Sequence, residues 1–475
     1  MLAREITWTF ASNITNSVLA LGTSIVMARA LGPAGQGALG LALFIPMIVA
    51  MLSQFGFDMV NATYAGLYKQ ERSTLLLQSL AAAGFGGVLS VLVICTFFFW
   101  LPIERGQFAS LPASMVWLSA AYAPTTILAT LLLSLVRGVG RQVAAAALNT
   151  AAAVTYFLLA ILCLGWLKLG LRTALLVTCL APFSAIFSAL YLLRPYLRLD
   201  RRVISLSFLR QSLAFGLPAC LANLATYLVY RANLAILGYM ATTDQVGLFM
   251  VATLLAERLK LLPTSIASAF HPRLANELAE RQQQVPEVFR LTVLVSFLSL
   301  TPFALLGLVA IPVLYGPEFR GAIVPFVTLL PGVAALGGAA VLSSDFMTRN
   351  KPHYAMAFAW SSLAVNVLLN IALIPLLGLV GAALASTFCY IAACVFSMVV
   401  YRRLAGVELR RLLPGRQDWH TLLSRIGMMS RALLRKAATK TGMTADAADH
   451  GRIEPAGKQP SSVKGIDPSQ VFHGK

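Results

Sequence analysis

Four ionisable residues set in apolar surroundings are where this sequence could do chemistry: Arg231, Glu257, Arg258 and Lys260. Arg231 is the single charge in the thirty residues from Gln211 to Met240. The other three stand near the middle of Val246–Phe270, which is almost as apolar. Each stretch exceeds the ~20 residues that a helix needs to cross a bilayer core of about 30 Å. At about 1.5 Å per residue, Arg231 lies roughly 13 Å inside the span from Met240. A charge at that depth costs at least ~2.5 kcal/mol, so it faces a partner or a wet cavity. A guanidinium so placed can bind an anionic group. The alternative is an Arg that snorkels to the outer headgroups or bonds a neighbouring helix.

Asn223, Tyr227 and Arg231 recur every four residues, so they share one helix face as a polar stripe toward the bundle interior. Glu257 and Lys260 are three apart and can pair on their own helix, leaving Arg258 as the unpaired cation. Glu257 is also the only carboxylate near mid-membrane in the second half, a candidate proton or sodium site for ion coupling; a structural ion pair is the competing reading. Arg29 ends the first apolar run and either reaches into the outer mouth of the cavity or anchors the helix at the interface. Interhelical hydrogen bonding explains Asn13, Asn16 and Gln54 as well as ligand contact does. No catalytic set emerges. His271, His353, His420, His450 and His473 show no metal-ligand spacing, no Walker A motif is present, and no cofactor or metal is expected.

These residues need membrane helices to position them. The chain has 475 residues, 58% apolar and 12% charged, whereas soluble domains run near ~25% charged. Twelve apolar runs can be drawn: Thr7–Leu31, Gly37–Phe57, Thr74–Leu101, Pro112–Val136, Val143–Leu167, Thr173–Leu193, Gln211–Met240, Val246–Phe270, Leu291–Tyr315, Ala322–Met347, Tyr354–Leu376 and Val380–Tyr401. The loops are too short for a folded extramembrane domain. The start is expected to stay as an uncleaved first helix, because its apolar segment is longer than a signal core and more spans follow. With the N-terminus inside, the inner loops carry fifteen Lys and Arg and the outer ones five, which puts both termini in the cytoplasm.

The longest inner loop, Arg194–Arg210, splits the runs six and six. The halves echo each other faintly at a spacing of 210 residues: Asn13 falls on Asn223, Gly37 on Gly247 and Arg141 on Lys351. The expected architecture is an all-α integral membrane protein. About twelve transmembrane helices form two pseudo-symmetric six-helix lobes, 1–200 and 201–403, around a central cavity. Segment 404–440 reads as a basic amphipathic cytoplasmic piece, with Trp419, Leu422, Leu423, Ile426, Met429, Leu433 and Leu434 at helical spacing. It lies either on the inner leaflet or on the transporter's own face. Segment 441–475 reads as a disordered tail. Of the 37 Lys and Arg, fourteen follow Tyr401, so the net charge of +19 points to cytoplasmic loops and membrane lipid, not to nucleic acid. All six cysteines fall inside apolar runs and read as small core- or lipid-facing residues.

Five stretches, in order, resemble a known family. "MARALGPAGQGALGLAL" (Met27–Leu43), "LSQFGFDMVNATYAG" (Leu52–Gly66), "LVRGVGRQVAAAALN" (Leu135–Asn149), "LLPTSIASAFHPRLA" (Leu261–Ala275) and "NVLLNIALIPLLGLVGAALASTFCY" (Asn366–Tyr390) look like polysaccharide flippases of the Wzx type. These belong to the multidrug/oligosaccharidyl-lipid/polysaccharide exporter superfamily. The resemblance covers roughly Arg4–Arg403 and leaves the tail aside. It implies a V-shaped pair of six-helix lobes and a cationic central cavity. It implies alternating-access transfer of undecaprenyl-pyrophosphate-linked oligosaccharide from the inner to the outer leaflet of the bacterial cytoplasmic membrane, for O-antigen, capsule or exopolysaccharide. A lipid-linked oligosaccharide is then the substrate, and a polysaccharide polymerase and chain-length proteins are candidate partners. Members often carry an Asp where this chain has Arg231 or Asn233, a departure that makes a direct pyrophosphate contact easier to picture. The substrate-binding set is then Arg29, Asn223, Tyr227, Arg231, Arg258 and Lys260, with Glu257 for ion coupling. A drug/cation antiporter, a peptidoglycan-precursor flippase and a membrane glycosyltransferase are the competing functions. The first would want an acidic or aromatic cavity, the second two further spans, the third a catalytic domain outside the membrane.

Overall fold

The computed structural model describes residues 2–100, 106–196, 206–261, 278–348, 352–415 and 418. The expected amphipathic helix after Asp418, the tail, and His271, His420, His450 and His473 lie outside them. All regular structure among the described residues is helical. That is what a bilayer imposes on an apolar chain, because every backbone polar group must be satisfied within its own segment. The helices are α1 (Leu2–Ser53), α2 (Phe57–Leu67), α3 (Arg72–Cys95), α4 (Ala113–Gly138), α5 (Gln142–Ala160), α6 (Leu171–Leu193), α7 (Leu206–Met240), α8 (Thr243–Ala256), α9 (Leu278–Leu298), α10 (Leu300–Ala310), α11 (Ile323–Thr348) and α12 (Pro352–Ala405).

Two of them are double length and each is broken at a glycine. In α1 the break is Gly32, with φ 66° and ψ −179°; in α12 it is Gly378, with φ 56° and ψ −131°. A side chain rarely adopts such a φ, so glycine marks the stop. The chain reverses at both. Ser12 donates to Ala146 O, and Asn61 in α2 donates to Leu131 O, so both ends of the first pair lie beside the Arg137–Arg141 turn. In α12 the Cys389 thiol donates to Ser362 O, and a Cβ on Gly381 would lie 2.2 Å from Leu373 O. The gaps between the expected runs at 31–37 and 376–380 fall on these two reversals.

Nine helical stretches among the described residues are long and apolar enough to cross a membrane. The expected count was about twelve. Two of the nine are the double-length stretches, Trp8–Leu67 and Ala359–Ala405, and the run expected at Val246–Phe270 is described only to Leu261. Lipid-facing surface is correspondingly apolar: Trp100 and Trp166 are 84% and 83% exposed at the ends of their stretches, where indole rings favour the membrane interface.

The 210-residue echo reappears as contact. A Cβ on Gly37 would sit 1.9 Å from Thr243 O, and one on Gly247 would sit 2.0 Å from Pro33 O. Pro33 and Thr243 are themselves 210 apart, as are Gly40 and Met250, which also touch. Reciprocal contacts of this kind are what a two-fold relation between the second half of α1 and α8 requires. The same offset carries Gly32 onto Thr242, the N-cap of α8, and carries Lys168, at φ 50° in the α5–α6 turn, onto Gly378. Small residues let the two backbones approach, the usual device for packing helices in lipid.

The described residues up to Pro414 form one compact unit. Cys179, Cys220, Cys389 and Cys394 are buried, and Cys95 and Cys163 half-buried, all as free thiols. Four helices of the first half, α1, α4, α5 and α6, pack together around one cavity. A second cavity lies among α1, α5, α7 and α8.

Candidate functional site

The second cavity has a volume of about 330 Å³, in the ~300–1,000 Å³ range of small-ligand sites. Its polar wall comes from α7, where Tyr227, Tyr230 and Arg231 follow one another over one helical turn. Both halves of α1 supply the opposite side, with Ser24 and Gln36 among its polar members. Gln36 is 6% exposed and its Oε1 has no hydrogen-bond partner, so an acceptor stands unmatched at the cavity.

Arg231 donates through Nη2 to Glu257 Oε2 at 3.3 Å. Glu257 opens a 3-10 turn, Glu257–Lys260, that continues α8. The contact is single and longer than the ~2.7–2.9 Å of a well-made charge-assisted bond. Both side chains keep access, at 34% and 26% exposure. Three residues on, Lys260 places Nζ 3.6 Å from the Tyr230 ring centroid, a cation–π contact. Tyr230 in turn packs on Tyr390 of α12.

This corrects one expectation. The spacing allows Glu257 to pair with Lys260 on its own helix; the ion pair it makes is with Arg231 across to α7. The planar guanidinium on α7 reaches the carboxylate, while the ammonium is drawn over an aromatic face. Arg231, Glu257, Arg258 and Lys260 are formally three cations and one carboxylate, and of the four Arg231 alone lines the cavity.

The structure brings Tyr227 and Arg231 to the cavity wall but not Asn223, which is half-buried one turn away and outside its lining. Arg258 is half-buried beside Tyr315 with Nε lacking a hydrogen-bond partner, and it does not line this cavity. Arg29 lies elsewhere: its Nε donates to Leu314 O at 2.7 Å and its Nη2 to Val313 O at 2.6 Å. Those carbonyls end the Ile311–Tyr315 helical turn, where a cation meets the negative end of the helix dipole.

An amide network went unread as a unit. Asn233, 1% exposed, donates to Ser386 Oγ and accepts from Asn370 Nδ2 at 2.8 Å; Asn370 also donates to Asn366 Oδ1 at 3.0 Å. It ties α7 to both halves of α12. The signal was present, since Asn366 and Asn370 are four apart in an apolar run and share a face. Asn370→Ala strands the Asn233 carbonyl in the interior, at a cost of about 1–3 kcal/mol. A lower thermal midpoint of the purified protein in detergent is the expected result, against no change for Ser361→Ala on the exposed surface. Among the described residues no three His, Cys, Asp or Glu side chains gather as a metal site would require.

With that geometry in place, comparison with known proteins becomes informative. The profile of a family described as polysaccharide biosynthesis protein matches residues 2–277, more than half the chain. The chain belongs to this family. No curated protein matches this chain by sequence. Solved structures share its fold. Lipid II flippase MurJ in an inward closed conformation aligns with TM-score 0.68 at 12% identity, over 84% of this chain and 87% of that one. An inward-facing multidrug resistance transporter of the MATE family, in the MOP superfamily, aligns with TM-score 0.62 at 14% identity, over 82% and 94%. A MOP superfamily transporter from Pyrococcus furiosus, described as having a binding pocket of reversed polarity, aligns with TM-score 0.58 at 14% identity, over 85% and 94%. The chain is thus a multi-pass membrane protein that shares the fold of these transporters.

Proposed function

We propose that this protein is a flippase that moves undecaprenyl-pyrophosphate-linked oligosaccharide from the inner to the outer leaflet of the cytoplasmic membrane, by alternating access, for a surface polysaccharide. The observation that carries the reading is Arg231, the one charged residue among the described residues that line a cavity within the membrane helices. A pyrophosphate diester is anionic, and Arg231 presents a cation to it from the cavity wall. Its oxygens suit the planar donors of Arg231, whose existing bond to Glu257 is long enough to exchange. Membership in a polysaccharide biosynthesis family supports a glycan cargo.

In this reading, substrate phosphate displaces Glu257 from Arg231. The released carboxylate then faces Lys260 or takes up a cation, which links substrate entry to ion or proton movement. The two lobes, 1–200 and 201–403, rock about the Gly37–Gly247 contact, and both termini lie in the cytoplasm. A polysaccharide polymerase and chain-length proteins would work on the product. Tyr227 and Tyr230 supply aromatic wall that a drug exporter could also use, but Arg231 on the same wall disfavours a cationic drug.

Deleting the gene and restoring it decides the matter. Lipid-linked oligosaccharide should accumulate in the inner leaflet on deletion and reappear in the outer leaflet on complementation. An unchanged leaflet distribution would remove the flippase reading.

A further inference from the structure

The first-half cavity lined by α1, α4, α5 and α6 has no role in the pyrophosphate contact. Its volume is about 400 Å³, none of its lining residues is charged, and it adjoins the Arg231 cavity, since Ala20 and Tyr156 line both. Its wall mixes amides, hydroxyls and aromatic rings. Asn16 and Asn149 face it, with Thr178 and the rings of Tyr122 and Tyr156. The Oδ1 of Asn16 is buried and without a hydrogen-bond partner. Thr178 Oγ1 and Tyr156 OH lie 3.1 Å apart and each keeps acceptor capacity. Pro182 has no N–H to return to the Thr178 carbonyl four residues back, which leaves a further acceptor beside the cavity.

We infer that this cavity is a subsite for the neutral sugar hydroxyls of the oligosaccharide, next to the site that holds its pyrophosphate. A sugar hydroxyl both donates and accepts, and so do side-chain amides and hydroxyls. The C–H face of a pyranose ring fits an aromatic wall, because tyrosine offers an apolar body with a polar tip. A buried acceptor left unmatched is costly, so a ligand donor that meets Asn16 Oδ1 is favoured. A divalent cation is poorly served, since such ions take several oxygen ligands and usually carboxylates, and no carboxylate lines the cavity. The inference rests on the flippase reading above and specifies where the glycan sits within it.

The test uses the full chain in nanodiscs and two probes: undecaprenyl pyrophosphate alone, and the undecaprenyl-pyrophosphate-linked oligosaccharide pool extracted from the cells that make the protein. Ala153→Phe fills the cavity from α5, and Asn16→Ala removes the unmatched acceptor without adding bulk. Each should weaken binding of the glycosylated lipid at least ~10-fold. Each should leave binding of the bare lipid unchanged, which also reports an intact fold. Arg231→Ala should weaken both probes. Equal binding of both lipids, untouched by either variant, would overturn the subsite and leave the flippase reading standing. A wild type that binds neither lipid would overturn both. Sodium- or potassium-dependent protection from thermal unfolding that Asn16→Ala abolishes, with glycolipid binding unaffected, would make the cavity a cation site and also overturn the inference.

Discussion

Arg231→Ala is expected to lower transport at least ~10-fold at equal protein level, with Arg231→Lys in between. A hydrogen bond to a charged group contributes about 1.5–3 kcal/mol, and each 1.4 kcal/mol is tenfold. Lys keeps the charge but loses the planar donor pair that suits phosphate oxygens. A snorkelling Arg gives no such ordering, because Ala inserts more easily than either cation. Arg29 is the internal comparison: its guanidinium is engaged by the carbonyls of Val313 and Leu314, so its loss should act through packing and protein level.

The Glu257 contact adds a second arm. Removing Arg231 leaves a partly buried carboxylate without its ion-pair partner, which lowers protein level by a route unrelated to substrate. With both side chains partly exposed, that penalty is well below the value for a fully buried pair. Adding Glu257→Gln to Arg231→Ala should therefore restore protein level and not transport. If the double variant recovers transport as well, Arg231 serves Glu257 and not the substrate. Undiminished transport in Arg231→Ala alone would end the role assigned to it.

The isolation of Arg231 in its apolar run was legible, because a charge there is conspicuous. Which cation Glu257 takes was not. Spacing along one helix favoured Lys260, and the pairing depends on how α7 and α8 rotate against each other. The reversals at Gly32 and Gly378 showed as gaps between apolar runs. The amide network did not, since Asn233, Asn366, Asn370 and Ser386 come together only when α12 folds back on α7. The uncharged cavity of the first half is written in alanines and threonines, which look the same in a core as at a binding surface. The pairing of Gly37 with Gly247 was visible as an echo, but nothing in a repeat says that its two copies touch.

That contact carries the other large effect. Gly37→Ala or Gly247→Ala should each cost transport at least ~10-fold and lower the thermal midpoint. A Cβ on Gly37 would stand 1.9 Å from Thr243 O and 2.9 Å from Gly247 N, and one on Gly247 would stand 2.0 Å from Pro33 O. Overpacking against side chains costs about 1–3 kcal/mol, and here the obstacle is backbone, which cannot change rotamer to make room. The second half of α1 and α8 must therefore move apart at the end bearing Gly32 and Thr242. Gly84→Ala, inside α3, is the control, since nothing lies within 4 Å of a Cβ there; it should be neutral or slightly stabilising. Because the two methyl groups would enter one gap, a single separation accommodates both. The double variant should accordingly cost less than the sum of the two singles, a coupling that independent sites do not show. Strict additivity would mean that the two glycines relieve separate clashes. Single variants indistinguishable from Gly84→Ala would mean that the two helices do not pack at this distance in the membrane.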